Sequence, residues 1–203
     1  MKTNAISFLL VVVATFVVVV VVVADVNQKV YDADGEPIKT NVPYFVSFMT
    51  LEYGMWICRM NMGADPMSCP QQPVMFTDPN IAPTPIMFVL PSSSSLSNSS
   101  DVNVVHESTE VSIKFASRDR CSESGFWRVV QNNTSSQGEV VLTGSKSSSD
   151  STFTIEKPNE YYTFIFGSND DRTTISISNG PISRLISTRF SGEMEVYFYR
   201  ATF

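Results

Sequence analysis

The chain has 203 residues, of which 43% are hydrophobic, and a formal charge of −6 at pH 7. An acidic chain offers phosphates no positive field, which excludes a nucleic-acid binder. With one histidine, and with no G-x-S-x-G elbow, P-loop or dinucleotide glycine pattern, nothing in it argues for an enzyme.

In chain order, Met1-Lys2-Thr3-Asn4 carries one positive charge, and Phe8 to Ala24 is almost wholly apolar, closing on the valine run Val17 to Val23. A charged start, an apolar middle and a small residue at the cut describe a secretory signal. The 17-residue run lies at the short edge of what spans a bilayer, and Asp25 rather than a basic cluster follows it. Residues 1–24 are therefore expected to be a signal peptide cleaved after Ala24, and residues 25–203 a single domain with its own core. Cleavage removes Lys2 and no acid, so the mature charge becomes −7. The mature protein is expected outside the cell or in the vacuole, reached through the secretory pathway and not held by a membrane. Sequons at Asn98, Asn132 and Asn133 agree with export and predict a glycoprotein.

Val30 to Val46 reads as strand, turn, strand. Asp32-Ala33-Asp34-Gly35 supplies the turn, with Gly35 free to take positive φ. Alternating aspartates before a glycine suggest a calcium loop, but the EF-hand needs a further ligand before the glycine and a later glutamate, and helical flanks. A plain hairpin turn fits better, and no cofactor or metal is expected.

Short β-rich runs then recur. They are Tyr44–Leu51, Met55–Met60, Pro73–Thr77, Pro85–Leu90, Val102–Val105, Val111–Phe115, Phe126–Val130, Glu139–Thr143, Thr152–Glu156, Tyr161–Phe166, Thr173–Ser178, Arg184–Ser187 and Glu195–Tyr199. In Val111–Phe115 the residues Val111, Ile113 and Phe115 face one way, with Ser112 and Lys114 opposite. Strands at this spacing with no helical period predict an all-β barrel or sandwich. Pro91 to Asp101, PSSSSLSNSSD, is an exposed loop, and the serine-rich pieces around Thr134–Ser136 and Lys146–Asp150 read as solvated tips.

His106 stands alone beside a turn and reads as a surface residue. Among the cysteines, Cys69 and Cys121 would enclose a long loop, worth about 3–4 kcal/mol in the chain-entropy model. Cys58 lies in the apolar run Met55–Cys58 and reads as a buried small hydrophobe, though an odd cysteine can also pair between chains.

The ordered set Val30-x-Asp32-x-Asp34-Gly35-x-x-Ile38, Tyr44-x-Val46, Cys69-Pro70, Glu107–Phe115, Cys121 with Trp127-Arg128-Val129, Phe153–Lys157, Tyr162–Phe166, Arg184-Leu185 and Val196–Phe198 resembles the plant soybean-type Kunitz inhibitors. It spans nearly all of the mature chain. The resemblance implies a β-trefoil: twelve strands in three pseudo-repeats, six closing a barrel and three hairpins capping it. It also implies a Cys69–Cys121 disulfide. It implies a monomeric, secreted plant-defence protein whose partner is a protease, a serine protease first. The family's inhibitory loop enters the protease as a substrate would, and in this sequence it falls at Pro91 to Asp101, with Ser93, Ser94, Ser95, Leu96 and Ser97 as contact candidates.

This chain departs from the pattern in that loop. No Arg or Lys stands there for a trypsin-like pocket, and Leu96 is the one large apolar side chain, suited to a chymotrypsin-like one. A glycan at Asn98 would stand beside it. The family braces the loop with an asparagine from the N-terminal turn; here Thr40 occupies that register and Asn41 follows one residue late. Gly167 stands where a cysteine of the family's second disulfide usually follows the Tyr162–Phe166 strand. A trefoil turned to storage, stress or ligand binding is the alternative, and a tryptophan, Trp56 or Trp127, exposed in a concave site would favour sugar binding.

Overall fold

The computed structural model describes residues 28–49, 54–63, 65–78, 80–91, 103–117, 121–131, 137–146, 148–167, 171–178, 183–189 and 194–202. Among these lie twelve strands and one short 3-10 turn, Ser149–Ser151. The strands are β1 (Tyr44–Met49), β2 (Gly54–Met60), β3 (Gln72–Phe76), β4 (Ile86–Val89), β5 (Ser112–Phe115) and β6 (Arg128–Gln131). They continue as β7 (Gln137–Val141), β8 (Phe153–Glu156), β9 (Thr163–Phe166), β10 (Thr173–Ile177), β11 (Ser183–Thr188) and β12 (Val196–Arg200).

Pairing shows how they assemble. β1 pairs antiparallel with both β12 and β4, β4 with β5, and β8 with β9. Single bridges, Val111 with Phe153 and Tyr162 with Val196, complete the circuit from β5 to β8 and from β9 to β12. The first and fourth strand of each consecutive group of four thus form a closed ring, which leaves the barrel no free edge. The middle two of each group, β2–β3, β6–β7 and β10–β11, are hairpins. They join at one end through β3–β11 and β7–β11. This is the β-trefoil, its threefold repeat visible in the pairing.

The ring is filled from its inward positions. Tyr44, Phe48, Phe88, Phe115, Phe153, Phe164 and Phe198 are buried around Trp127. Phe88, Phe164 and Phe198 come from three different ring strands and meet with centroids 5.6–6.3 Å apart. Alternation on β12 puts Val196 and Phe198 inside while Tyr199 stays exposed.

Several expectations need correction. Val102–Val105 is not a strand: Val104 makes an isolated bridge to Lys39. Val30-Tyr31 is likewise held by single bridges, Lys29 with His106 and Tyr31 with Pro37. Ser112, expected outside, is fully buried, because its hydroxyl reaches the Lys146 carbonyl at 3.4 Å. That bond ties down the segment expected to be a solvated tip. There Arg128 and Ser148 both reach the Asp150 carboxylate, and Ser151 is buried with its hydroxyl accepting from the Ser145 N–H. Serines that bond backbone and carboxylate make a folded turn rather than a loose tip. Trp127 is core, and Trp56 packs on Tyr199 with centroids 5.3 Å apart, so neither lines a sugar site.

The disulfide joins Cys69 and Cys121, with Cα atoms 5.7 Å apart, and Cys58 is a buried free thiol. Gly167 takes φ +84°, and a Cβ there would stand 2.7 Å from the Asp171 carbonyl oxygen. This turn therefore has no room for the cysteine the resemblance would place at Gly167.

Candidate functional site

The strands flanking the serine-rich segment are well fixed even though the segment itself, residues 92–102, lies outside the described residues. With it lie the contact candidates Ser93, Ser94, Ser95, Leu96 and Ser97 and the sequon Asn98. Asn132 and Asn133, and the leader with Ala24, also lie outside the described residues.

On the entering side β4 pairs along its length with β5, Phe88 facing Ile113 and Val89 facing Ser112, and Phe88 is wholly buried. On the leaving side the chain from Asn103 to Glu107 is held by backbone bonds. Val105 N–H donates to the Ile38 carbonyl at 2.8 Å, and its own carbonyl accepts from Val30 at 3.0 Å.

Between these two sides runs the turn from Ile38 to Val42, containing both bracing candidates. Asn41 N–H donates to the Phe88 carbonyl at 2.9 Å, and Thr40 N–H to the Asn103 carbonyl at 2.8 Å. One residue ties the turn to the entering strand and its neighbour ties it to the leaving strand. Thr40 is buried at 8% exposure, and Asn41 is exposed with φ 61°, a left-handed conformation that asparagine tolerates better than most residues. Lys39 N–H donates to the buried Tyr44 hydroxyl at 3.0 Å, which closes the turn from below. Burial pushes the Tyr44 phenol up, and the Lys39 bond acts against it. Sequence reasoning missed the Tyr44 contact; no local pattern announces a phenol folding back five residues.

The Asp32 turn is built for itself. Its Oδ1 accepts from the N–H groups of Asp34 and Glu36, and Ala33 N–H donates to the Phe198 carbonyl on β12 at 2.8 Å. Spending a carboxylate oxygen on two backbone donors makes this an Asx turn.

His106, expected at the surface, is buried at 9% exposure, because its strand-like segment is covered by the bridge to Lys29. Its neighbour Glu107 has one carboxylate oxygen, Oε1, shielded from solvent with no hydrogen-bond donor among the described residues. Burial lifts the Glu107 carboxyl above its ordinary range; Lys157 opposes this and Glu156 adds to it. The folded state then takes up that proton first as pH falls. The penalty is full above the raised folded value and vanishes below the ordinary one. Glu107→Gln should raise the melting temperature at neutral pH and leave it nearly unchanged in acid. Asp150 has the opposite sign: the Ser148 hydroxyl first, then Ser151 and Arg128, hold it below its ordinary range. Its stabilisation is present above the ordinary value and is lost as pH falls through the lowered one, so Asp150→Asn should lower the neutral melting temperature. Melting temperatures of the two variants and the wild type, followed from neutral pH into acid, check both signs.

Compared with known proteins, residues 30–198 match the family model described as Trypsin and protease inhibitor, of the legume Kunitz type. The chain belongs to the Kunitz-type family of trypsin and protease inhibitors. Two relatives from Arabidopsis thaliana are each 57% identical to it. Kunitz trypsin inhibitor 6 aligns over 96% of this chain and 93% of its own length. Kunitz trypsin inhibitor 7 aligns over 98% and 96%. Among solved structures, a Kunitz type trypsin inhibitor from Cicer arietinum superposes with a TM-score of 0.66 at 19% identity, over 86% of this chain and 99% of that one. This Kunitz-family chain is thus a binding protein and not an enzyme.

Proposed function

We propose that this chain inhibits a serine protease by presenting residues 92–102 to the enzyme as a substrate-like loop, with Leu96 filling the primary specificity pocket. Family membership and two relatives named as trypsin inhibitors support protease inhibition. The observation that carries the loop mechanism is the double tie from Thr40 and Asn41 to Asn103 and Phe88 on either side of it. Fixing both ends of a loop lowers the entropy lost on docking, so a small contact can bind tightly. Thr40 and Asn41 act in this role as the brace.

Specificity follows from side-chain chemistry. Residues 91–101 contain neither Arg nor Lys, so they offer no cation to an acidic pocket, and Leu96 suits an apolar one. The protein acts as a secreted monomer, exported by residues 1–24, and a glycan on Asn98 would hinder docking at the adjacent Leu96. The test is an inhibition panel of serine, cysteine and aspartic proteases against the mature, deglycosylated protein. Inhibition strongest for a chymotrypsin-like serine protease is expected; inhibition of none of the serine enzymes would overturn it.

A further inference from the structure

Away from the 92–102 segment, four sulfur side chains gather beside the disulfide. Ile57 and Met75 of the β2–β3 hairpin join the central core. Cys58 and Met60, on the other face of β2, pack with Val74 in a separate small cluster, and Met62 packs against it. Cys58, Met60 and Met67 also line one cavity of about 470 Å³, together with Ile81 and Ala82. Three of the chain's nine methionines and its free thiol thus share one corner.

The loop that carries Met67 is fixed. Asn61 N–H donates to the Pro66 carbonyl at 2.9 Å, its side-chain amide donates to the Pro70 carbonyl at 2.7 Å, and Met67 N–H donates to Asp65 at 2.9 Å. Cys69 pins the loop's end to Cys121. Met67 is nonetheless 54% exposed, so burial does not explain a methionine there. The Cys58 thiol makes only long contacts, 3.8 Å each, to the carbonyls of Trp56 and Ala82. Burial pushes its pKa up to about 11, so the empty site holds a neutral thiol.

The donor set selects its ligand. Zinc sites need several thiolates or imidazoles, and this corner has one thiol and no histidine. Hard cations need free carboxylates, and the nearby Glu123 already meets Arg59 and the Gln71 N–H. Thioethers with one thiol suit a soft monovalent ion. We propose that Cys58, Met60 and Met67, with Met62 alongside, form a binding site for one Cu(I) ion. Binding exchanges the Cys58 proton for a Cu–S bond, releases that proton to solvent, and leaves the oxidation state of copper and sulfur unchanged.

The test uses the mature chain with its disulfide intact. Cu(I) is kept reduced by ascorbate and offered in competition with a colorimetric Cu(I) chelator. One copper per chain is expected, with release of one proton and a Cu(I)–thiolate absorption band. Met60→Leu and Met67→Leu should each weaken binding at least tenfold with the circular dichroism unchanged, and Cys58→Ser should abolish the band. Because Met67 is exposed, its variant remains informative if Cys58→Ser folds poorly. No copper taken from the chelator, or equal uptake by the Met60→Leu/Met67→Leu double variant, would overturn the site.

Discussion

Replacing Trp127 by alanine is expected to destabilise the fold by about 3–5 kcal/mol. The side chain is completely buried, and its ring meets Phe115, Phe153 and Phe164 with centroids 5.8–6.1 Å apart. Those three rings come from β5, β8 and β9, so the indole touches ring strands of two pseudo-repeats at once. Removing it leaves a void that short, paired strands cannot collapse to fill, and the cavity adds to the lost transfer energy. Domains of this kind have only about 5–15 kcal/mol in total, so the loss takes a large share. Trp127→Phe separates packing from polarity. The indole N–H is buried with no acceptor among the described residues, so phenylalanine removes an unpaired donor while keeping most of the ring contact. Urea unfolding should show Trp127→Phe losing less than half of what Trp127→Ala loses.

The second large effect is on specificity. Leu96→Arg should move the preferred target from a chymotrypsin-like to a trypsin-like protease, changing the ratio of inhibition constants by at least about 100-fold. A guanidinium buried in an apolar slot lacks a counter-charge, whereas a trypsin-like pocket supplies a carboxylate to meet it. The same change at Ser94 should leave the ratio within a few-fold of wild type, because a neighbouring contact position does not enter the pocket. Inhibition constants for both enzymes against unglycosylated variants measure this directly.

What could be read in the sequence was short-range. Val111, Ile113 and Phe115 alternate and are all fully buried, and Cys58, inside an apolar run, is a buried thiol. Ring closure could not be read in this way. The partners of β1 lie in β12 and β4, and two of the six ring contacts are single bridges, at Val111 and Tyr162, which leave no pattern of their own. Only the likeness of the ordered motifs to a family supplied the threefold arrangement. Polar residues misled for a related reason. Ser112 and Ser151 look solvated by composition, yet each is buried because its hydroxyl bonds a backbone group. His106 looks like a turn residue, yet the bridge to Lys29 covers it. The Thr40–Asn41 brace was half legible. The resemblance pointed to those two positions, but the sequence could not show that Asn41 would reach Phe88 and Thr40 would reach Asn103.

The central claim is that inhibition works through a substrate-like loop at residues 92–102, and mapping the bond that the target protease cuts tests it most directly. The mature, deglycosylated protein is incubated with a small amount of the serine protease it inhibits best, and the products are sized by mass spectrometry. One slow cut, between Leu96 and Ser97, in a protein that stays folded and still inhibits is the predicted result. Inhibition with no cut in residues 92–102, or with rapid cutting at many sites, would contradict it.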